Sequence, residues 1–190
     1  VTDVDIANAA LALVKKAGIA TLGDNTATAR ACNALYAPAR DKVLEDRIWS
    51  FAKKQYILSV PGATPTFGWS YQFPLAVEVI APITVNDADD NPVAYEVQGR
   101  VILSNEPVLH LTAKTKVTDT TTFTPGFCTT LTFLLAAYLA VPLAENRELQ
   151  AQYDAEYRKA LKDAAGADGA KQASTGKRPS DLKARRLGVF

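Results

Sequence analysis

From Thr120 to Ala144 the chain carries no charged residue, 25 consecutive positions between Asp119 and Glu145. A stretch like this is stable only where water is excluded, in lipid or in a protein core. Its uninterrupted apolar part, Phe133 to Ala144, is 12 residues long and crosses Pro142. A membrane span takes about 20. Thr124, Thr129, Thr130 and Thr132 dilute the remainder. The pattern predicts a helix buried in protein, so the other segments must supply the faces that cover it. The chain has 190 residues, 48% apolar and 22% charged, which is enough to enclose one core.

Helical spacing precedes this segment at a distance. Thr2 and Asp5 form an N-terminal capping pattern. Ile6, Ala10, Leu13 and Ala17 then recur on one face, with Gly18 as the expected stop. A second helix is predicted from Asp24 or Asn25 through Arg30, Leu35, Val43 and Leu44 to about Phe51, kinked at Pro38. From Ile57 to Phe123 the period changes toward two and Pro and Gly become frequent. Leu75 to Ile80 and Val108 to Thr112 read as strands, and Tyr95 to Leu103 as a hairpin turning at Gln98-Gly99. Asn86 to Asn91 reads as a loop. Thr124 and Pro125 start the charge-free helix, Pro142 is expected to break it, and a last helix is predicted from Glu145 to Ala165.

The fold class expected is therefore α+β: a bundle of about four helices with an inserted small antiparallel β lobe and an extended C-terminal tail. Residues 1–56 and 124–165 make the bundle, 57–123 the insertion and 166–190 the extension. The extension is basic. Six Lys and Arg residues after Gly166 face only Asp168 and Asp181, so it carries +4 against −3 for the rest of the chain. Such a tail suits an acidic partner or nucleic acid.

The residues that could carry chemistry are few. His110 is the single histidine and lies in a strand pattern without triad partners beside it. Cys32 and Cys128 stand in helical patterns, too few for a disulfide framework, and are expected as buried thiols of a reducing compartment. No basic start with an apolar run stands at the N-terminus, so no signal peptide is expected. Asp87, Asp89 and Asn91 resemble the start of a calcium loop. Pro92 stands where that loop needs Gly, and Gln98 where it needs a bidentate Glu. Ser174-Thr-Gly-Lys-Arg178 is similar to a phosphate loop but lacks its first Gly and its final Ser or Thr. Glu145, Glu148 and Asp154 fall on a charged helix surface. A hydrolase built on paired carboxylates is a further alternative, although solvation alone explains these three side chains.

Several segments, in order, resemble the tail tubular protein A family, the connector subunits beneath the portal of short-tailed bacteriophages. They are Trp49-Ser-Phe-Ala52, Gly68-Trp-Ser-Tyr-Gln-Phe-Pro74, Tyr95 to Leu103, Val117-Thr-Asp119 with Phe123-Thr-Pro-Gly-Phe127, and Ala136 to Leu143. The resemblance spans about residues 3 to 165. It implies a structural virion protein, not an enzyme, with no cofactor and no metal. It implies a homo-oligomeric ring, commonly of twelve copies, assembled in the host cytoplasm and lodged at the head-tail junction. The portal protein would sit above and the downstream tail (nozzle) protein below. Genomic DNA would pass through the lumen without specific binding, and no membrane would take part.

On that basis Lys177, Arg178, Leu182, Lys183, Arg185, Arg186, Leu187 and Phe190 are expected to bind the portal, the cations pairing with acids and the apolar side chains entering pockets. Leu149, Tyr153, Tyr157 and Leu161 recur at every fourth position and are expected to contribute to subunit-subunit contact. The bundle would form the ring wall and the lobe would project sideways or toward the tail. The alternative function is a nucleic-acid-binding structural protein that uses the same basic tail against phosphates.

Overall fold

A computed structural model describes residues 1–59 and 61–173. Four helices, α1 (Asp3–Leu13), α2 (Ala27–Asp46), α3 (Pro125–Ala144) and α4 (Arg147–Ala173), enclose one core. Six strands form a lobe between α2 and α3. They are β1 (Lys53–Leu58), β2 (Tyr71–Pro74), β3 (Val79–Asn86), β4 (Tyr95–Gln98), β5 (Val101–Ser104) and β6 (Leu109–Thr115). The α+β class and the inserted β lobe agree with the expectation. The lobe is two three-stranded antiparallel sheets, β1-β6-β3 and β2-β5-β4, rather than one. They close over a shared core that includes Phe73 and Ile102 from one sheet and Val85, Leu109 and Leu111 from the other.

The charge-free helix α3 is the centre of the bundle and packs against α1, α2 and α4. It has 20 residues and a mean hydropathy of 1.9, so by length and apolarity it could cross a membrane. Half of it is buried inside the fold, including Phe127, Leu131, Leu135 and Leu139. Each such side chain is worth roughly 1.5–3 kcal/mol when withdrawn from water. Gly126 lets α4 approach: a Cβ there would stand 3.2 Å from Ala164 Cβ.

Local chemistry explains most boundaries. Thr2 Oγ1 accepts the Asp5 amide at 3.1 Å, and Asp5 accepts the Thr2 amide at 2.8 Å, a complete capping box. Thr124 caps α3 and Pro125 occupies its first turn, as predicted. Helix α1 ends at Leu13, not Gly18; Lys15, at φ 56°, takes the left-handed conformation that turns the chain. Thr26, rather than Asp24 or Asn25, caps α2. That helix runs unbroken through Pro38 and stops at Asp46, after which Ser50–Ala52 form a single 3₁₀ turn. Pro142 does not break α3. It sits in the last turn, and the helix ends at Glu145, φ 53°, whose amide bonds Val141 O. Asn146 Oδ1 then accepts the Leu149 amide to open α4. Helix α4 continues past the expected end at Ala165, to Ala173.

In the lobe, the hairpin turns at Gly99-Arg100, one residue later than the expected Gln98-Gly99, because Gln98 pairs with Val101. Gly99 has φ 59° at the first of two turn residues, which suits a tight reversal between twisted strands. Strand β1 begins at Lys53, ahead of the expected boundary near Ile57. The segment Leu75 to Glu78 is a turn, not a strand. Arg100 donates to the carbonyls of Ala76 and, at 2.9 Å, Val79, while Tyr56 Oη donates to Glu78 at 3.0 Å. Those bonds hold the turn, and Val77 projects from it 91% exposed.

Four aromatic rings join lobe to bundle. Trp49 and Phe51 lie where the chain enters the lobe, Phe123 and Phe127 where it returns. The Phe127 ring stands 5.0 Å from Trp49, 5.1 Å from Phe51 and 4.5 Å from Phe123, centroid to centroid. Replacing Phe127 with Ala should lower unfolding stability by about 3–5 kcal/mol, read as the denaturant midpoint. Phe127→Leu, which retains most of the volume, should lose less.

Candidate functional site

The junction between bundle and lobe gathers several charged side chains that bond across the chain, among them Asp41, Lys114 and Lys116. Asp41 accepts from Arg40 Nη2 at 2.7 Å and from Lys116 Nζ, on the lobe side, at 2.6 Å. Lys114 Nζ donates to the Glu45 carbonyl. Thr115, fully buried, donates from Oγ1 to Ala52 O at 3.0 Å. Beside these, Asp46, Arg47, Ile48, Lys114, Leu161 and Lys162 line a shallow open groove. Its polar groups are largely committed. Arg47 lies 5.1 Å over the Trp49 ring and donates to Leu161 O at 3.2 Å. Asp46 accepts from Lys42 and, at 2.6 Å, from Tyr157 Oη. Within the groove, the bonds of Asp46, Arg47 and Lys114 tie α2 to α4 and to the lobe.

The two carboxylates are electrostatically alike. Burial alone would raise Asp46, but the hydrogen bonds from Lys42 and Tyr157 outweigh it and hold its pKa below the usual carboxylate range. Burial would likewise raise Asp41, and Lys116 and Arg40 reverse the direction. Tyr157 is shifted upward by its burial and by Asp46, so it remains a neutral donor.

The face Leu149, Tyr153, Tyr157 and Leu161 lies in the chain's own core. Tyr153 and Tyr157 are only 8% and 5% exposed, and Tyr153 Oη donates to Leu13 O at 2.8 Å. Leu149 and Leu161 pack partly buried against the same core. Tyr153 and Tyr157 are thus taken up by the chain's own core, where α4 covers α3, while Leu149 and Leu161 keep part of their surface exposed. The expected portal-binding residues Lys177, Arg178, Leu182, Lys183, Arg185, Arg186, Leu187 and Phe190 lie outside the described residues, as does the phosphate-loop-like stretch 174–178.

The remaining candidates are accounted for locally. His110 Nδ1 lies 2.9 Å from Asp90 Oδ1 on the outer face of β6. Asp87 folds its loop on itself, accepting the Asp89 amide at 2.9 Å and the Asn91 amide at 2.8 Å. Its bonds to Asn91 keep its pKa low. Among the described residues, no cluster of three His, Cys, Asp or Glu could hold a metal ion. Burial pushes the thiols of Cys32 and Cys128 up, away from the reactive thiolate. Asp154 pairs with Arg158 one turn on, at 2.8 Å, while Glu145 and Glu148 are exposed.

Two features escaped the sequence reading. One is the aromatic junction, whose four rings stand at both sequence borders of the lobe and were detectable there. The other is which strands end each sheet. β2 is covered on its outer side, where the Gly62 amide bonds Gln72 O at 2.5 Å. β3 carries Pro82, two register shifts and a bridge from Asn86 to Pro92. Among the described residues, no backbone group pairs with the outer edge of β1 or β4.

A folded-state carboxylate pKa below the unfolded value of about 3.9 stabilises the fold above that pH, and the contribution disappears as pH falls through the folded value. Acid titration of wild type should thus show stability declining below about pH 4. Asp46→Asn should be less stable at neutral pH and decline less steeply in acid, as followed by urea midpoints.

A scan against protein-family models finds no match to this chain, and a search of curated proteins likewise finds no significant similarity.

Proposed function

We propose that this chain is a head-to-tail connector subunit of a bacteriophage virion, a ring-forming structural protein placed between portal and tail. The reading rests on the ordered sequence segments that resemble the tail tubular protein A family. One structural observation supports it: the elements run helix, helix, β lobe, helix, helix, which is the layout that resemblance implies. Two of the matched segments, Trp49 to Ala52 and Phe123 to Phe127, contribute the rings at the junction between bundle and lobe. A connector must transmit load between two other rings, and a lobe fixed to its bundle on both crossings does so as one body.

In this reading the basic C-terminal segment docks on the portal. Its cations suit acidic partners, and Leu182, Leu187 and Phe190 suit apolar pockets on the same partner surface. The genome passes through the lumen, where a body of net negative charge repels phosphates and favours sliding. The basic segment favours one second reading, a nucleic-acid-binding structural protein, in which it meets phosphates directly.

One experiment separates the two. Deleting residues 174–190, beyond the end of α4, should leave the circular dichroism spectrum and unfolding midpoint intact while removing binding to the portal ring. Unchanged portal affinity refutes the docking role. Full-length chain that binds duplex DNA without portal, with affinity falling steeply as salt rises, supports the second reading instead.

A further inference from the structure

If the chain forms a ring, each subunit needs two different surfaces that fit each other, because a head-to-tail contact joins unlike patches. The lobe carries two such surfaces in its open strand edges. An uncovered edge presents unpaired amides and carbonyls, and proteins ordinarily blunt it with proline, bulges, lysines or a covering segment. β2 and β3 are blunted in these ways. β4 carries no proline, bulge, lysine or covering backbone segment among the described residues; its protection is its four-residue length and the charge of Glu96. All four of its residues are exposed, with Tyr95 at 39% and Val97 at 41%. Tyr95 and Val97 sit opposite Ser104 and Ile102 on β5, and Ile102 belongs to the lobe core. They therefore continue the inner apolar face of their sheet past the point where the other sheet covers it.

The backbone of β4 is oriented for pairing. In a hairpin with a two-residue turn, the pair beside the turn is hydrogen-bonded and the pairs then alternate. Gln98 with Val101 is that first pair, so Glu96 with Leu103 is the next bonded pair. The amides and carbonyls of Tyr95 and Val97 consequently point away from β5, toward the open edge.

β1 is the complementary surface. It ends the other sheet, beyond β6 from β3. β3 leads to β4 through the Asn86–Pro92 bridge and the Val93-to-Val85 bond, so β4 begins beside the end of β3, whereas β1 is separated from β3 by β6. β1 exposes Ile57 at 69% and brings Lys53 and Lys54, the latter also 4.0 Å from Glu78; β4 brings Glu96, whose exposed carboxylate accepts from Trp69 Nε1 at 3.1 Å and Gln98 Nε2 at 2.9 Å and keeps its negative charge. Apolar meets apolar and base meets acid between the two edges; two β4 edges would instead bring Glu96 against Glu96.

We propose that the β4 edge of one copy pairs with the β1 edge of the next, so that strand addition between lobes links the ring laterally. The proposal rests on the ring reading above and deepens it by naming the contact. It assigns the lateral surface to the lobe, leaving the Tyr153 and Tyr157 stripe of α4 to the subunit's own core.

The test uses the full chain. Val97→Pro removes one outward amide without touching a bond to β5, and an edge strand tolerates proline there. Native mass spectrometry should show rings for wild type and for Val97→Thr, and monomers for Val97→Pro. In a Cys128→Ser background, mixing the single variants Val97→Cys and Ile57→Cys under mild oxidation should give disulfide-linked pairs. Neither variant should cross-link alone. Rings of Val97→Pro that persist as in wild type would overturn the strand pairing and leave the ring reading standing. Cross-linking of Val97→Cys with itself would replace it with a symmetric contact. A wild-type chain that remains monomeric beside the portal would end both readings.

Discussion

Phe127 is where the two halves of the molecule become one. It begins the central helix, and its ring is packed by Trp49 and Phe51 from the outgoing crossing and by Phe123 from the returning one. Edge-to-face packing of this kind contributes roughly 0.5–1.5 kcal/mol per pair beyond the area buried. Its larger effect is geometric. The lobe interrupts the bundle between α2 and α3, so any looseness at the crossings would let it swing. Trp49 is pinned further by its indole N–H, which donates to Val43 O at 2.9 Å, and by Arg47 above the ring. Ile80 of the lobe also packs against the bundle core.

Within the bundle, α3 determines what the other helices do. It is apolar around most of its circumference, and three partners are needed to cover it. This explains why α4 turns its tyrosine-leucine stripe toward the core, burying Tyr153 and Tyr157 and partly burying Leu149 and Leu161. The two tyrosines are amphipathic, with their rings in the core and their hydroxyls reaching Leu13 O and Asp46. They satisfy polar groups near α1 and α2 while filling space against α3. The two tyrosines are consumed in this way, and only Leu149 and Leu161 keep part of their surface exposed.

Much of the fold was legible because it is written in local chemistry. Thr2 with Asp5, Thr124 with Pro125, and Gly99 act within four residues of themselves, and each marks the boundary that a local reading assigns, Gly99 to within one residue. The errors are equally instructive. Leu75 to Ile80 has the composition of a strand, yet Arg100, Tyr56 and the β2–β5 pairing bend its first half into a turn. Pro142 looks like a break, yet in the last turn of α3 the burial of the preceding residues carries the helix past it. Gly18 looks like a stop, but Lys15 reverses the chain sooner, and Asn8 then holds the Ile19 amide at 2.8 Å from eleven residues away. The first of these misses depends on partners distant in sequence, and the other two on how the chain packs around a helix end. The candidate site was the least legible part. Periodicity identifies an apolar stripe on α4 but says nothing about whether the stripe faces its own core or a neighbour.

The sequence by itself determined that a charge-free helix must be enclosed, that helices flank a block of strands, and that the C-terminal segment is basic. These follow from transfer free energies, dihedral preferences and charge, which are properties of residues and their near neighbours. Only the tertiary structure decided that the strands divide into two stacked sheets, that the two α4 tyrosines are consumed internally, and that β1 and β4 are the edges left unpaired. Those outcomes depend on which surfaces meet across tens of residues, and an edge is open or closed only by virtue of what the rest of the chain lays beside it.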